Sequence, residues 1–275
     1  VLQRNVWLLG SARSEVWVNT GATFPFQPIP GSLIEYGLAA IWSVAEADGS
    51  ICFLGQNEAG GRMVLQNQGY GFKRISTHAV ERELGTWLDL PNVRGWSYQE
   101  RGHTFYLLCP TSGPAQVYDL STGLWSTRAF GADEAPRQVC HAFGFGKHLV
   151  GDRVDGTIYE QSLAYGTDAG EPIRRRRQAP HVNERQQWLF GTQVTIGCET
   201  GLARNSGDVE LTAEDGSELL DELGNELTTG EVGDEPPDTL DLSWSKDGGH
   251  TFSTPVSATL GTGGQYAKLV KWPRC

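Results

Sequence analysis

No stretch of this 275-residue chain carries apolar residues at helical spacing over any length, and no run reaches 18 apolar residues. The first absence argues against long helices, and the second leaves no transmembrane helix to expect. Five cysteines (Cys52, Cys109, Cys140, Cys198, Cys275) are widely spread, with no CxxC pair and no Cys/His cluster at zinc-site spacing. Such usage points to reduced thiols in a protein assembled in a cytoplasm rather than to a disulfide framework. Cys52 and Cys109 lie inside apolar runs, where cysteine behaves as a small buried hydrophobe. There is no G-x-S-x-G elbow, no HExxH and no P-loop. The six histidines, His78, His103, His141, His148, His181 and His250, stand singly and mostly beside turns, as surface or capping residues rather than ligands. No catalytic residue, metal or cofactor is expected. A signal peptide and an initiator methionine are also missing; the chain opens at Val1 and is soon in a strand, Val6 to Leu9, as if entering mid-fold.

Basic residues are absent from one long segment. Residues 207–241 hold 13 of the 33 acids and no Lys or Arg, leaving 20 acids against 22 bases elsewhere. The net charge of −11 is therefore local. The acidic segment repeats on itself: Glu210-Leu211, Glu218-Leu219 and Glu226-Leu227 recur at eight-residue spacing, with Gly216 and Gly224 six positions after the first two glutamates. Turns at Asp215-Gly216 and Gly224-Asn225 suit a small hairpin ladder, and charge density suits a solvated flap; either projects from the core.

What the chain has is 35 glycines, 13 prolines and enough hydrophobic residues, 39%, for a packed core. Its central stretch is Gln116-Val117-Tyr118-Asp119-Leu120-Ser121-Thr122-Gly123-Leu124-Trp125, a strand, a tight turn and a second strand. Phe105 to Leu108 precede it, across the turn residues Pro110 to Pro114. The same frame recurs at Trp7–Gly10 with Glu15–Gly21, at Cys52–Gly55 with Arg62–Gly69, and at His148–Gly151 with Thr157–Glu160. Anchors at 10, 55, 109 and 151 are spaced 45, 54 and 42 residues apart, periods that fit the blades of a β-propeller. An irregular β-sandwich with coincidental hairpins is the alternative. Ala39–Ala45, Gly95–Gln99 and Arg137–Ala142 are expected as innermost strands, and Thr77–Leu84 as a short helix exposing Glu81, Arg82 and Glu83.

The expected fold class is all-β. Residues 1–165 would hold β-propeller-type antiparallel blades, four visible and incomplete at the N-terminus. Residues 166–275 would hold a small β-sandwich-like region or final sheet with the acidic insert at 207–238. Its strands are Trp188–Ile196, continued by Thr239–Trp244, then His250–Ser253, Val256–Leu260 and Tyr266–Trp272. Between the two regions, Arg174-Arg175-Arg176-Arg177 would suit phosphate, but a strand with its arginines alternating between faces and pairing with local acids is the favoured reading. Asp152-Arg153-Val154-Asp155-Gly156 resembles part of a calcium loop yet lacks further ligands, and reads as a hairpin turn. Ser245-Lys246-Asp247-Gly248-Gly249-His250-Thr251-Phe252 matches the Asp-box S-x-D-x-G-x-T-[WF], in which Ser245, Asp247, Gly249 and Thr251 build a turn with Phe252 packed beneath. Asp-boxes recur in sialidase propellers, which keeps a glycosidase open, although the box is structural there.

Several segments together resemble one family. They are Gly10-Ser11-Ala12-Arg13-Ser14-Glu15-Val16-Trp17-Val18-Asn19-Thr20-Gly21 with Phe24-Pro25-Phe26, Arg74-Ile75-Ser76-Thr77, Val117 to Trp125, Gly151-Asp152-Arg153, and Trp244 to Gly249 with Gly264-Gln265-Tyr266. In this order they look like the packaged-DNA stabilisation proteins, also called tail hub or nozzle proteins, of short-tailed bacteriophages. The resemblance implies a structural virion protein of the phage tail. Six copies would form a ring below the portal and its adaptor protein, retain the genome and conduct it on ejection, with a tailspike or tail fibre and a tail needle or plug attached. Double-stranded DNA would pass without sequence-specific binding. The channel or subunit-contact candidates are Glu210, Glu214, Asp215, Glu218, Asp221, Glu222, Glu226 and Arg174 to Arg177. A carbohydrate- or receptor-binding propeller and a sialidase-like enzyme remain the other classes.

Overall fold

The computed structural model describes residues 5–131, 134–179, 193–199, 239–247, 249–260 and 267–273. The acidic insert, with Glu210, Glu214, Asp215, Glu218, Asp221, Glu222 and Glu226, lies outside them, as do Trp188–Thr192 and His181. The chain divides into two compact units, Val1–Arg176 and Arg177–Cys275. All sheets are antiparallel.

The first unit is a series of sheets. The first sheet is β1 (Asn5–Leu9), β2 (Ser14–Asn19) and β3 (Phe26–Pro28). The second has β4 (Gly37–Leu38) and β5 (Ala45–Ala47) end to end along one edge of β6 (Ser50–Gln56), followed by β7 (Arg62–Gln68) and β8 (Gly71–Arg74). Helix α1 (His78–Thr86) leads to the third, a four-stranded meander of β9 (Arg94–Glu100), β10 (His103–Cys109), β11 (Ala115–Asp119) and β12 (Leu124–Arg128). The fourth is β13 (Gln138–Gly144), β14 (Lys147–Asp152) and β15 (Ile158–Gln161), and a hairpin of β16 (Thr167–Asp168) and β17 (Glu171–Pro172) ends the unit's strands.

The middle sheets are buried on both faces, and the period of two along each strand sends alternate residues to different neighbours. In β6, Phe53 with Ile51 joins Met63 and Leu65 against Trp7 and Leu9 of the first sheet. Cys52 and Leu54, one residue out of phase, join Val80 and Leu84 of α1 and Tyr106 and Leu108 of the third sheet. In β10 the alternation repeats: Leu107 and Cys109 turn the other way, with Trp96, Tyr98 and Val117, to meet Val150 and Tyr159 of the fourth sheet. Burying each such large side chain is worth about 1.5–3 kcal/mol. Double-sided burial is why Cys52-Phe53-Leu54 and Tyr106-Leu107-Leu108 read as continuous apolar runs.

One expected strand is broken. Ala39–Ala45 forms a short 3-10 turn at Ile41–Ser43 between β4 and β5, leaving Ile41 and Trp42 exposed. The ladder survives because Ser43 substitutes for the missing backbone: its buried hydroxyl donates to Ala40 O at 2.7 Å and accepts from Leu54 N at 3.0 Å. The helix forms as expected, with the Thr77 hydroxyl accepting from Val80 N at its start. Its C-terminal carbonyls are met by Arg62, whose guanidinium donates to Leu84 O at 2.7 Å and Trp87 O at 2.5 Å. Glu81 departs from the exposed face assigned to it: it turns inward to Arg74 and accepts from the Ser76 hydroxyl at 2.6 Å.

In the second unit β18 (Gln193–Glu199) pairs with β21 (Ala267–Pro273), and β19 (Thr239–Leu242) pairs with β20 (Val256–Thr259). Thr239–Leu242 is thus no neighbour of Gln193–Glu199 in a sheet, and His250–Ser253 is a bend rather than a strand.

Candidate functional site

In the first unit, segments that carry the family resemblance meet at the joints between sheets. At the first joint, Leu38 N donates to Gly10 O at 2.7 Å and Gln56 Nε2 donates to Ser11 O at 2.8 Å. At the second, the Trp125 indole donates to Ile75 O at 2.9 Å, and the neighbouring Ser76 hydroxyl accepts from Val64 N at 3.0 Å. The third joint belongs to Arg153. Its guanidinium donates to Pro136 O at 3.1 Å and, reaching across to the third sheet's loop, to Pro110 O at 3.0 Å and Thr111 O at 3.2 Å. Five N–H donors in a fixed fork let one arginine tie carbonyls of two segments together.

The turns within the sheets are built from their own acids. Asp119 accepts from Ser121 N at 2.9 Å, from the Thr122 hydroxyl at 2.7 Å and faces His103 Nδ1 at 2.8 Å. Asp152, its carboxylate buried, pairs with Arg137 Nε at 2.5 Å and accepts from Val154 N at 2.5 Å, while Asp155 pairs with Arg137 at 3.1 Å and accepts from Thr157 N at 2.9 Å. Residues 152–156 are therefore a hairpin turn whose carboxylates are engaged by protein donors. Among the described residues no three His, Cys, Asp or Glu side chains converge as metal ligands.

Two histidines expected to stand alone are partners. His141 and His148 lie two positions apart on facing strands, on one face of the fourth sheet, with Nε2 and Nδ1 2.9 Å apart. His141 stacks on Trp96, with ring centroids 5.5 Å apart, and lies against Tyr98, so the pair is wedged between the third and fourth sheets. Burial, and then the neighbouring His148, holds the His141 pKa below the usual histidine value. The Arg128 guanidinium sits over the far side of this cluster, 5.2 Å from the Tyr98 ring. The signal in the sequence was the placement of the two histidines either side of the Phe145-Gly146 turn, which becomes informative only once the turn is centred.

In the second unit Ser245, Asp247, Gly249 and Thr251 are joined by hydrogen bonds into a turn. The Ser245 hydroxyl donates to Asp247 Oδ1 at 2.7 Å and accepts from Gly249 N at 2.8 Å. Asp247 accepts from the Thr251 hydroxyl at 2.6 Å and from Thr251 N at 2.8 Å; these bonds, the Thr251 hydroxyl first, hold its carboxyl well below the usual carboxylate range. Phe252 is not packed beneath: half its surface, 50%, stays exposed. Arg174, Arg175, Arg176 and Arg177 are not in a strand either. They lie in irregular chain after Pro172, all four exposed, and among the described residues they form no ion pair.

Free thiols are found at Cys52, Cys109 and Cys140. Burial pushes Cys52 up to about 12 and Cys109 up to about 11. Among the described residues, no helix is long and apolar enough to cross a membrane.

The sequence profile of a phage DNA-stabilisation family, described as "Bacteriophage P22 Gp10, beta-propeller", matches residues 1–164. No curated protein matches the chain. The matched region contains all four sheets and the three joints, and the family's work, stabilising packaged phage DNA, is that of a structural virion protein associated with other virion proteins. The chain belongs to this phage DNA-stabilisation family, and its stacked antiparallel sheets are blades of the family's β-propeller.

Proposed function

We propose that this protein is a tail hub or nozzle component: a ring of six copies below the portal and its adaptor that retains packaged DNA and conducts it on ejection. The observation that carries the reading is the family match across blades locked to one another by Arg153, Trp125 and the double-sided cores. A part that holds a pressurised genome needs blades that do not slide, and each joint here combines a dry core with hydrogen bonds to backbone carbonyls. The role is non-enzymatic in this reading. The carboxylates of Asp119, Asp152, Asp155 and Asp247 are committed to building turns, which supports a scaffold. The ring lies in the tail of a virion assembled in the host cytoplasm, and holds a tailspike or tail fibre and a needle or plug.

In the same proposal the acids Glu210, Glu214, Asp215, Glu218, Asp221, Glu222 and Glu226 face the channel or a basic neighbour, and the exposed Arg174 to Arg177 are subunit contacts. Carboxylates along a conduit repel phosphate through the Coulomb term by which basic patches retain it. Mass photometry of the purified chain, alone and with the adaptor-bearing particle, tests the whole. A monomer that enters a ring only on the particle is the expected result. A monomer that ignores virion components overturns the reading.

A further inference from the structure

One stretch of the described chain holds no polar partner. The Ile173 N–H donates to Gly166 O at 2.9 Å, and from Arg174 to Ala179 the chain is then irregular and exposed. Among the described residues, none of these six makes a hydrogen bond, an ion pair or a ring contact. The chain leaves the first compact unit for the second within the same stretch, at Arg176 to Arg177. Four successive peptide bonds, from Arg174–Arg175 to Arg177–Gln178, follow an arginine, and none of them precedes proline.

Other exposed bases lie on backbone that is tied down. Arg101 is at the tip of a two-residue turn: Arg101-Gly102 joins β9 to β10 as Asp48-Gly49 joins β5 to β6 and Phe145-Gly146 joins β13 to β14, the first hairpins of three successive blades. Both residues of each turn have positive φ, 49° and 81°, 49° and 66°, and 55° and 74°. Lys147 follows the last of these turns and pairs with Glu160 at 2.6 Å. Arg13 O accepts from Gly10 N at 3.0 Å, Arg82 is in α1, and Lys246 is in the Ser245–Thr251 turn. An endoprotease takes its substrate as an extended strand, so each of these sites must open locally before it can be cut. Arg174 to Arg177 have no such bonds to break, and exposed irregular chain is where nicking concentrates.

We propose that Arg174 to Arg177 form a processing site, cut by an endoprotease whose specificity pocket carries a carboxylate for the arginine side chain. Water adds its oxygen to the arginine carbonyl carbon and its proton to the leaving nitrogen, and the C–N bond breaks to give a carboxylate and an ammonium group. The cut sorts the charge of the chain. After Arg177 lie 16 of the 33 acids and 6 of the 22 bases, so residues 1–177 keep 17 acids and 16 bases. A chain of net charge −11 thus yields a nearly neutral piece bearing the blades and an acidic piece bearing all of 207–241. In the ring reading above these arginines are subunit contacts, so the site is open in the free chain and covered in the ring.

Trypsin at a limiting ratio is the probe, read by intact mass and N-terminal sequencing. On the free chain the first cut is expected after one of the four arginines. The variant R174Q/R175Q/R176Q/R177Q should survive more than about ten times longer at an unchanged thermal midpoint. A first cut elsewhere, or a variant cut as fast as the parent, overturns the site and leaves the ring reading untouched. Chains on the adaptor-bearing particle are expected to resist at this segment. Particles cut there as fast as the free chain overturn the covering by neighbouring copies, and with it the arginines' place in the ring contact, while the site itself stands.

Discussion

The Tyr106 hydroxyl donates a 2.6 Å hydrogen bond to the carbonyl oxygen of Ser43, 63 positions earlier in the chain. Tyr106 is fully buried, and Ser43 is the residue whose hydroxyl stands in for broken backbone beside β6. The third blade therefore braces the second at its weakest point. Replacing Ser43 by Ala leaves the Leu54 N–H buried without its acceptor, and a loss of about 1–3 kcal/mol is expected. Tyr106→Phe removes one bond and should cost about 1 kcal/mol. Urea unfolding of the two variants checks both values, and an unchanged midpoint for Ser43→Ala would contradict the special role given to Ser43.

Gly95 opens β9 at the same joint. A Cβ built there would lie 2.2 Å from the Ser43 carbonyl oxygen, so Gly95→Ala forces the second and third blades apart. Overpacking of this kind costs about 1–3 kcal/mol. A lowered thermal midpoint together with faster hydrogen exchange at Gly95 and Tyr106 is the expected signature; an unchanged midpoint would show that the joint can yield.

Acid should loosen the fourth blade before it unfolds the rest. The folded state holds His141 neutral, with a pKa below the histidine value of 6.5, so the unfolded chain binds protons first as pH falls. Stability from this site is complete above about pH 6.5 and declines as pH falls from there through the folded pKa. His141→Phe should flatten that decline, measured as urea midpoints across the range. Asp247 acts lower on the scale: its depressed pKa gives stability present above the unfolded value of about 3.9, lost further into acid.

Thiol chemistry should separate the three described free cysteines. With pKa values of about 12 and about 11, buried Cys52 and Cys109 offer almost no thiolate at neutral pH, whereas Cys140 is exposed. Alkylation of the native protein followed by peptide mapping should label Cys140 and spare Cys52 and Cys109 until denaturant is added.

Local chemistry made part of this fold legible. Tyr106 to Cys109, the Asp119-to-Gly123 turn, the Thr77 cap and the Ser245-to-Thr251 turn all form through contacts within a few residues or through runs that need burial on two sides. What stayed hidden depends on partners far away in sequence. The Ile41–Ser43 break needs Leu54 and Tyr106 to be tolerated; the inward turn of Glu81 needs Arg74. The His141–His148 contact needs both the hairpin register and the wall supplied by Trp96 and Tyr98. The exposed arginines failed as a strand because alternation in sequence cannot supply a neighbour to pair with. The first-hairpin turns were missed for a different reason: Asp48-Gly49 looks like a turn, but Arg101-Gly102 and Phe145-Gly146 place unusual residues where Asn or Asp is the familiar choice.

Those turns also separate two kinds of work along the chain. Glycine in the second position of each tip meets the conformational demand, with nothing within 4 Å of where a Cβ would stand at Gly49, Gly102 or Gly146. The first position is left pointing outward from a frame that does not depend on what it is. Asp, Arg and Phe already occupy it in three neighbouring blades of one molecule. Such a rim can acquire a new partner by a single codon change, at a cost confined to one turn, while the cores that keep the blades in place are untouched.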